Sequence, residues 1–125
     1  MHYNDGFSGF AVPDVAAARE FYSEVLELQV AEDHGMLHLT LPGGTVVLAY
    51  PKEDHEPAVF TILNLVVPDL RAAVDELVTR GVAFQRYEGF EQDERGIARG
   101  MGPDIAWTTD PGGNVIALME GDGAA

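Results

Sequence analysis

Four histidines, His2, His34, His38 and His55, and 21 aspartates and glutamates are the groups in this chain able to ligate a metal or move a proton. Cysteine is absent. That excludes disulfides, thiolate nucleophiles and cysteine-ligated zinc or iron–sulfur centres. Neither His34 with His38 nor the run Asp54-His55-Glu56 forms a zinc motif by itself, and each of these histidines reads as an ordinary loop or strand residue, with a noncanonical metal site across a dimer as the minor alternative. His38, Tyr50, Glu88 and Asp104 can take part in proton transfer only if the fold brings them within about 3 Å of a reacting atom. No nucleophile and base are spaced so as to select a reaction. The aromatic residues offer a different chemistry. Trp107, the single tryptophan, has a broad ring face, and Tyr50 and Tyr87 add ring faces with hydroxyl donors. Such groups hold an apolar or cationic ligand, or simply pack in a core or interface.

The charge balance narrows the ligand. Seven Lys and Arg against 21 Asp and Glu give a formal charge of −14 over 125 residues. A chain so poor in positive residues lacks the field that binding a nucleic-acid backbone requires. Glu88, Glu91, Asp93, Glu94 and Asp104 crowd one stretch, interrupted by Arg86, Arg95 and Arg99. They form either an acidic rim that attracts a cation or a solvated surface. No apolar run approaches the roughly 20 residues that a membrane helix needs. The opening Met1-His2-Tyr3-Asn4-Asp5-Gly6 has no basic region followed by an apolar core, so a cytoplasmic protein is expected.

These groups must be positioned by a duplicated framework. Val12-Pro13-Asp14-Val15 precedes an alanine-rich amphipathic stretch, and Val67-Pro68-Asp69-Leu70 precedes another, 55 residues later. In each, proline biases the preceding valine away from helix and the aspartate is suited to cap the first free N–H groups. The β-rich segments 7–12 and 59–67 therefore predict strands leading into helices. The first helix is expected to pack Ala17, Phe21, Val25 and Leu28, and the second Leu70, Val74, Leu77 and Val78, ending before Gly81. Alternating patterns then predict strands at 29–32, 36–41 and 45–49 in the first half, and at 82–87, 104–109 and 115–119 in the second. Pro42-Gly43-Gly44 and Asp110-Pro111-Gly112-Gly113-Asn114 are the turns. The irregular stretch 89–103 reads as a surface or ligand-facing loop, and Gly121–Ala125 is expected to fray. The expected architecture is α+β, one domain over 1–125 built of two βαβββ modules, about 7–50 and about 59–120, with a short connector.

The Val-Pro-Asp openings, Arg19-Glu20-Phe21-Tyr22 with Leu26-Glu27-Leu28, and the closing run Asp110 to Leu118 resemble the vicinal-oxygen-chelate superfamily of glyoxalases, extradiol dioxygenases, and fosfomycin- and bleomycin-resistance proteins. The resemblance spans nearly the whole chain and implies a curved mixed sheet around a cup-shaped cavity, commonly in a homodimer. A chain of this size has limited capacity to enclose a spacious cavity alone, which agrees with a symmetric partner. Metal-dependent relatives place histidine or glutamine seven residues before each capping aspartate and glutamate on each last strand. The matching positions here are Phe7, Ile62, Val47 and Ala117. Hydrocarbon side chains cannot coordinate a divalent ion, so no metal and no other cofactor is expected.

Phe7, Val47, Ile62 and Ala117 then read either as filling of the inner sheet face or as the floor of an apolar cup. Trp107, Tyr50 and Tyr87 are its candidate walls, and Glu91, Asp93 and Asp104 its candidate charged margin. The expected function is noncatalytic sequestration of a small, partly apolar and cationic or aromatic molecule, an antibiotic of the bleomycin type being the most concrete version. A metal-independent enzyme acting on a small metabolite and a ligand-free structural or regulatory dimer are the alternatives.

Overall fold

A computed structural model of the protein describes residues 1–100 and 102–121. The two Val-Pro-Asp junctions do the same work. Asp14 and Asp69 are extended residues (φ −137° and −139°), and their carboxylates accept the N–H of Ala17 and of Ala72, each at 3.1 Å. Each thereby satisfies a donor that the first helical turn leaves open.

The first capped helix, α1 (Val15–Glu20), runs on into one π-helical turn, Phe21–Val25. Ala18 and Tyr22, four residues apart, are fully buried, whereas Ala17, Phe21, Val25 and Leu28 are only half-buried. The expected stripe was therefore displaced by one residue. The second, α2 (Leu70–Thr79), buries Leu70, Val74 and Leu77 but leaves Val78 exposed. Its C-terminus closes where Gly81 takes φ +92°, which lets the Val82 N–H reach back to the Leu77 carbonyl at 3.0 Å.

Two compact units, Met1–Pro57 and Ala58–Ala125, each hold one mixed sheet. In the first, β1 (Ser8–Val12) lies parallel to β4 (Val46–Pro51), which runs antiparallel to β3 (Met36–Thr40), itself antiparallel to β2 (Gln29–Asp33). In the second, β5 (Thr61–Val67) lies parallel to β7 (Val115–Glu120), which pairs antiparallel with β6 (Ile105–Thr109). The architecture is α+β with paired modules of the βαβββ kind. One expected strand is reduced. Segment 82–87 pairs with β6 only through a bridge, Phe84 to Thr108, reinforced by the Gln85 N–H to the Trp107 carbonyl (2.8 Å) and the Thr108 hydroxyl to the Ala83 carbonyl (2.7 Å).

One face of each sheet is apolar and buried. Phe10, Val12, Leu37, Leu39, Val47 and Ala49 form it in the first unit, where the Phe10 ring meets Tyr22 at 5.7 Å. Leu63, Ala106, Thr108, Ile116 and Leu118 form it in the second, and the Glu120 carboxylate accepts the Leu70 N–H at 3.0 Å to tie α2 to β7. Each fully buried leucine, isoleucine or valine contributes roughly 1.5–3 kcal/mol of transfer free energy. The opposite faces carry the candidate site. Among the described residues, no helix is long and apolar enough to cross a membrane. Of the segment expected to fray, Asp122–Ala125 lies outside the described residues.

Candidate functional site

Strand register decides which side chains share the helix-free faces. In the second unit Asn64, Ala117 and Trp107 lie side by side across β5, β7 and β6. In the first, Gly9, Leu48 and His38 lie side by side across β1, β4 and β3. Gly9 stands five residues before Asp14 and Asn64 five before Asp69, so the two rows are counterparts, with Leu48 corresponding to Ala117 and His38 to Trp107. Val47, expected to correspond to Ala117, points to the other face and is 7% exposed in the core beside Leu39. Both hairpins leave five residues between their last paired positions, Thr40 with Val46 and Thr109 with Val115, so Leu48 is the counterpart of Ala117, and an error of one residue in a strand exchanges the faces.

The other expected floor residues separate too. Phe7 precedes β1 and is 66% exposed, beside a depression of about 560 Å3 lined by Asp5, His38, Thr45 and Val46. Tyr50, partly exposed at the end of β4, lays its ring against the Gly9 position: a Cβ built there would lie 4.0 Å from the tyrosine ring and 3.2 Å from the Leu48 carbonyl oxygen. Ile62 is half-buried at the bulge of β5, and Ala117 is fully buried.

Trp107 is the centre of an aromatic cluster. Tyr87 meets it edge-on at 5.4 Å between ring centroids and 80° between planes, and Phe90 packs tilted at 5.4 Å and 48°. Trp107 and Tyr87 are half-buried, Phe90 is 43% exposed, and Phe90 also lines an open cleft of about 560 Å3 with Glu91, Gln92, Asp93, Ile97 and Arg99. That volume falls in the range of small-molecule sites.

The charged margin is less acidic than its composition. The Asp93 carboxylate accepts the N–H groups of Arg95 and Ile97, both at 2.9 Å, and binds the Arg99 guanidinium. Arg99 also reaches Asp104, at 3.3 Å. Burial works against the Asp93 charge, but Arg99 and the two backbone donors outweigh it and hold the carboxyl below the usual carboxylate range. Asp93 and Asp104 thus brace the loop instead of presenting bare charge. Arg95 pairs with Asp75 at 2.8 Å and Arg86 donates to the Asp93 carbonyl at 2.6 Å, leaving Glu88 and Glu91 as the exposed carboxylates flanking Phe90.

Three contributors escape a sequence reading. Phe90 sits in an irregular loop, where only the aromatic spacing Tyr87-x-x-Phe90 signals it. Asn64 is the one amide within the otherwise apolar run 61–67, and that contrast is its signal. Gln92 has none: its carboxamide accepts the Tyr87 N–H at 2.8 Å and donates to the carbonyls of Gln85 (2.9 Å) and Gly96 (2.7 Å), contacts that only the folded loop creates.

The Glyoxalase/Bleomycin resistance protein/Dioxygenase superfamily model matches residues 2–118. The chain belongs to this superfamily. An antibiotic-binding protein, TnmS3, from a Streptomyces species is 25% identical, with a TM-score of 0.68 over 95% of this chain and 98% of its own. A superfamily member from Sphaerobacter thermophilus is 22% identical, with a TM-score of 0.70 over 94% and 98%. The fosfomycin resistance protein FosX from Listeria monocytogenes, 8% identical, has a TM-score of 0.72 over 97% and 95%. No curated protein matches the sequence significantly. The divalent ion of the superfamily's metal-dependent members does not fit the donors present. The helix-free rows offer one imidazole and one carboxamide beside Gly9, Leu48, Ala117 and Trp107. Among the described residues no three His, Asp or Glu side chains gather to hold a metal ion.

Proposed function

We propose that this superfamily member is a noncatalytic binding protein that sequesters a small, partly apolar cationic molecule, with an antibiotic as the most concrete ligand class. The observation that carries the reading is the Tyr87–Trp107–Phe90 cluster beside an open cleft, flanked by the exposed carboxylates Glu88 and Glu91. Aromatic faces attract a cation through their quadrupole, and the two carboxylates add a favourable field. The resemblance matches Ile62 and Ala117 to ligand positions of metal-dependent relatives, which favours capture of an apolar body over Lewis-acid chemistry. The antibiotic-binding relative supports the same class. Capture is an equilibrium: the ligand is shielded, then released unchanged. A homodimer, as in small members of the superfamily, belongs to this proposal.

The test uses the single tryptophan as its own reporter. Metal-free bleomycin and the planar cation proflavine are titrated against the protein while Trp107 emission is followed, with an anionic aromatic sulfonate as the counter-probe. Saturable quenching by a cationic probe, with binding weakened in Trp107→Ala when followed by calorimetry, is the expected result. Equal or tighter binding of the anionic probe contradicts the cationic assignment. Binding unchanged in Trp107→Ala contradicts the site.

A further inference from the structure

We infer that Gln92 is the positioning residue of the aromatic site, fixing Tyr87 and Phe90 against Trp107; this rests on the reading of that cluster as the ligand site. Tyr87 and Phe90 lie outside regular structure, and the segment before them is pinned to β6 by the Gln85 N–H on the Trp107 carbonyl. Two residues further on, the Tyr87 N–H has no strand partner; it donates to the Gln92 Oε1 at 2.8 Å. On the other side of the same carboxamide, Nε2 donates to Gln85 and to Gly96. One side chain thus fastens the strand-like segment before Tyr87 to the far limb of the loop.

The arrangement fixes its own orientation. One N–H faces the carboxamide from Tyr87 and two carbonyls face it from Gln85 and Gly96, so only the observed placement of oxygen and nitrogen satisfies all three. The far limb also has little freedom. Gly96 takes φ +88°, a backbone conformation that favours glycine, and a Cβ there would make ordinary contact with Phe84 at 3.5 Å and with the Gln85 carbonyl oxygen at 3.6 Å. Ile97 and Ala98 behind it are buried. Between these anchors Phe90 has one hydrogen bond of its own backbone, its N–H to the Tyr87 carbonyl at a long 3.4 Å. The placement of both rings therefore depends on the Gln92 carboxamide.

Gln92→Leu keeps the approximate volume and removes all three bonds. The expected result is an acrylamide quenching constant for Trp107 raised about twofold, loss of the near-ultraviolet circular dichroism that arises from ring coupling, and proflavine binding weakened about tenfold, while far-ultraviolet dichroism is retained. Quenching and near-ultraviolet signal equal to those of the unaltered protein overturn the inference. Amide exchange in the unaltered protein keeps the test decisive should the variant unfold. The Tyr87 N–H should exchange at least tenfold more slowly than that of Glu88, and equal rates refute the role. A failure of proflavine to bind the unaltered protein speaks against the ligand reading alone, because quenching, dichroism and exchange need no ligand.

Discussion

Asp110→Ala should cost the protein about 3–5 kcal/mol, because one buried carboxylate organises the turn that sets Trp107 beside Ala117. Its Oδ1 accepts the N–H groups of Gly112 (2.9 Å) and Asn114 (3.0 Å), and its Oδ2 accepts the Asn114 side-chain amide at 3.0 Å. Asp110 is 4% exposed and Asn114 2%. Water therefore cannot readily replace the carboxylate for the two Asn114 donors, whereas the half-buried Gly112 N–H can be partly rehydrated. Two stranded donors at about 1–3 kcal/mol each, with a smaller contribution from the third bond, give the range stated. Relief of repulsion in a chain of charge −14 offsets only a few tenths of it. Urea unfolding followed by Trp107 emission and by far-ultraviolet dichroism measures the loss, with a fall in melting temperature of roughly 10–20 °C alongside. Asp110→Asn retains the shape and an acceptor for the two backbone donors but turns a donor toward the Asn114 side-chain amide, and should lose about 1–3 kcal/mol. An Asp110→Ala variant within about 1 kcal/mol of the parent would refute the reasoning, since it would mean that those donors find partners elsewhere.

Acid stability tests the loop bracing. The Asp93 carboxyl is held below its ordinary range in the folded protein, so its contribution is fully present above that range and is lost as pH falls through the lowered value. Melting temperatures between about pH 5 and about pH 2 should therefore fall more steeply in the parent than in Asp93→Asn; parallel curves count against the bracing. Gly9→Ala brings a methyl group to 3.2 Å from the Leu48 carbonyl oxygen and should cost about 1–2 kcal/mol in urea unfolding. Gly6→Ala, where nothing lies within 4 Å, should be silent in the same assay, and equal effects at the two glycines would contradict the close packing of β1 on β4. Trp107→Ala should weaken proflavine binding by about fivefold to about 150-fold in calorimetry, since a stacked or cation-binding ring contributes about 1–3 kcal/mol.

The parts of the fold legible from sequence are those set by local chemistry. Asp14 and Asp69 cap because proline and a short carboxylate act within a single turn, and the alternation in 36–41 and 115–119 is a property of each strand alone. Where the outcome depends on distant partners, legibility ends. Val47 and Leu48 are both apolar, and only pairing with His38 and Gly9 shows that Leu48 takes the helix-free face. Segment 82–87 alternates like a strand, yet a single bridge joins it to β6, and beyond it the Tyr87 N–H turns to Gln92. Asp93 and Asp104 read as bare acid until the loop folds Arg99 onto both. In the first helix burial falls on Ala18 and Tyr22 instead of Ala17 and Phe21, because all four side chains are apolar in large part and only packing against the sheet selects between two adjacent stripes. Trp107 and Tyr87 were legible as candidates because their ring chemistry is intrinsic, whereas the part of Phe90 in the cluster shows only once the folded loop brings its ring to Trp107.

The central claim, capture without chemistry at the Trp107 cluster, is tested most directly by mass analysis of a cationic ligand incubated with substoichiometric protein. Bound and free fractions should carry the same mass, with the bound amount limited by the protein present and reduced in Trp107→Ala. Progressive conversion of the whole ligand pool to a new mass would contradict it.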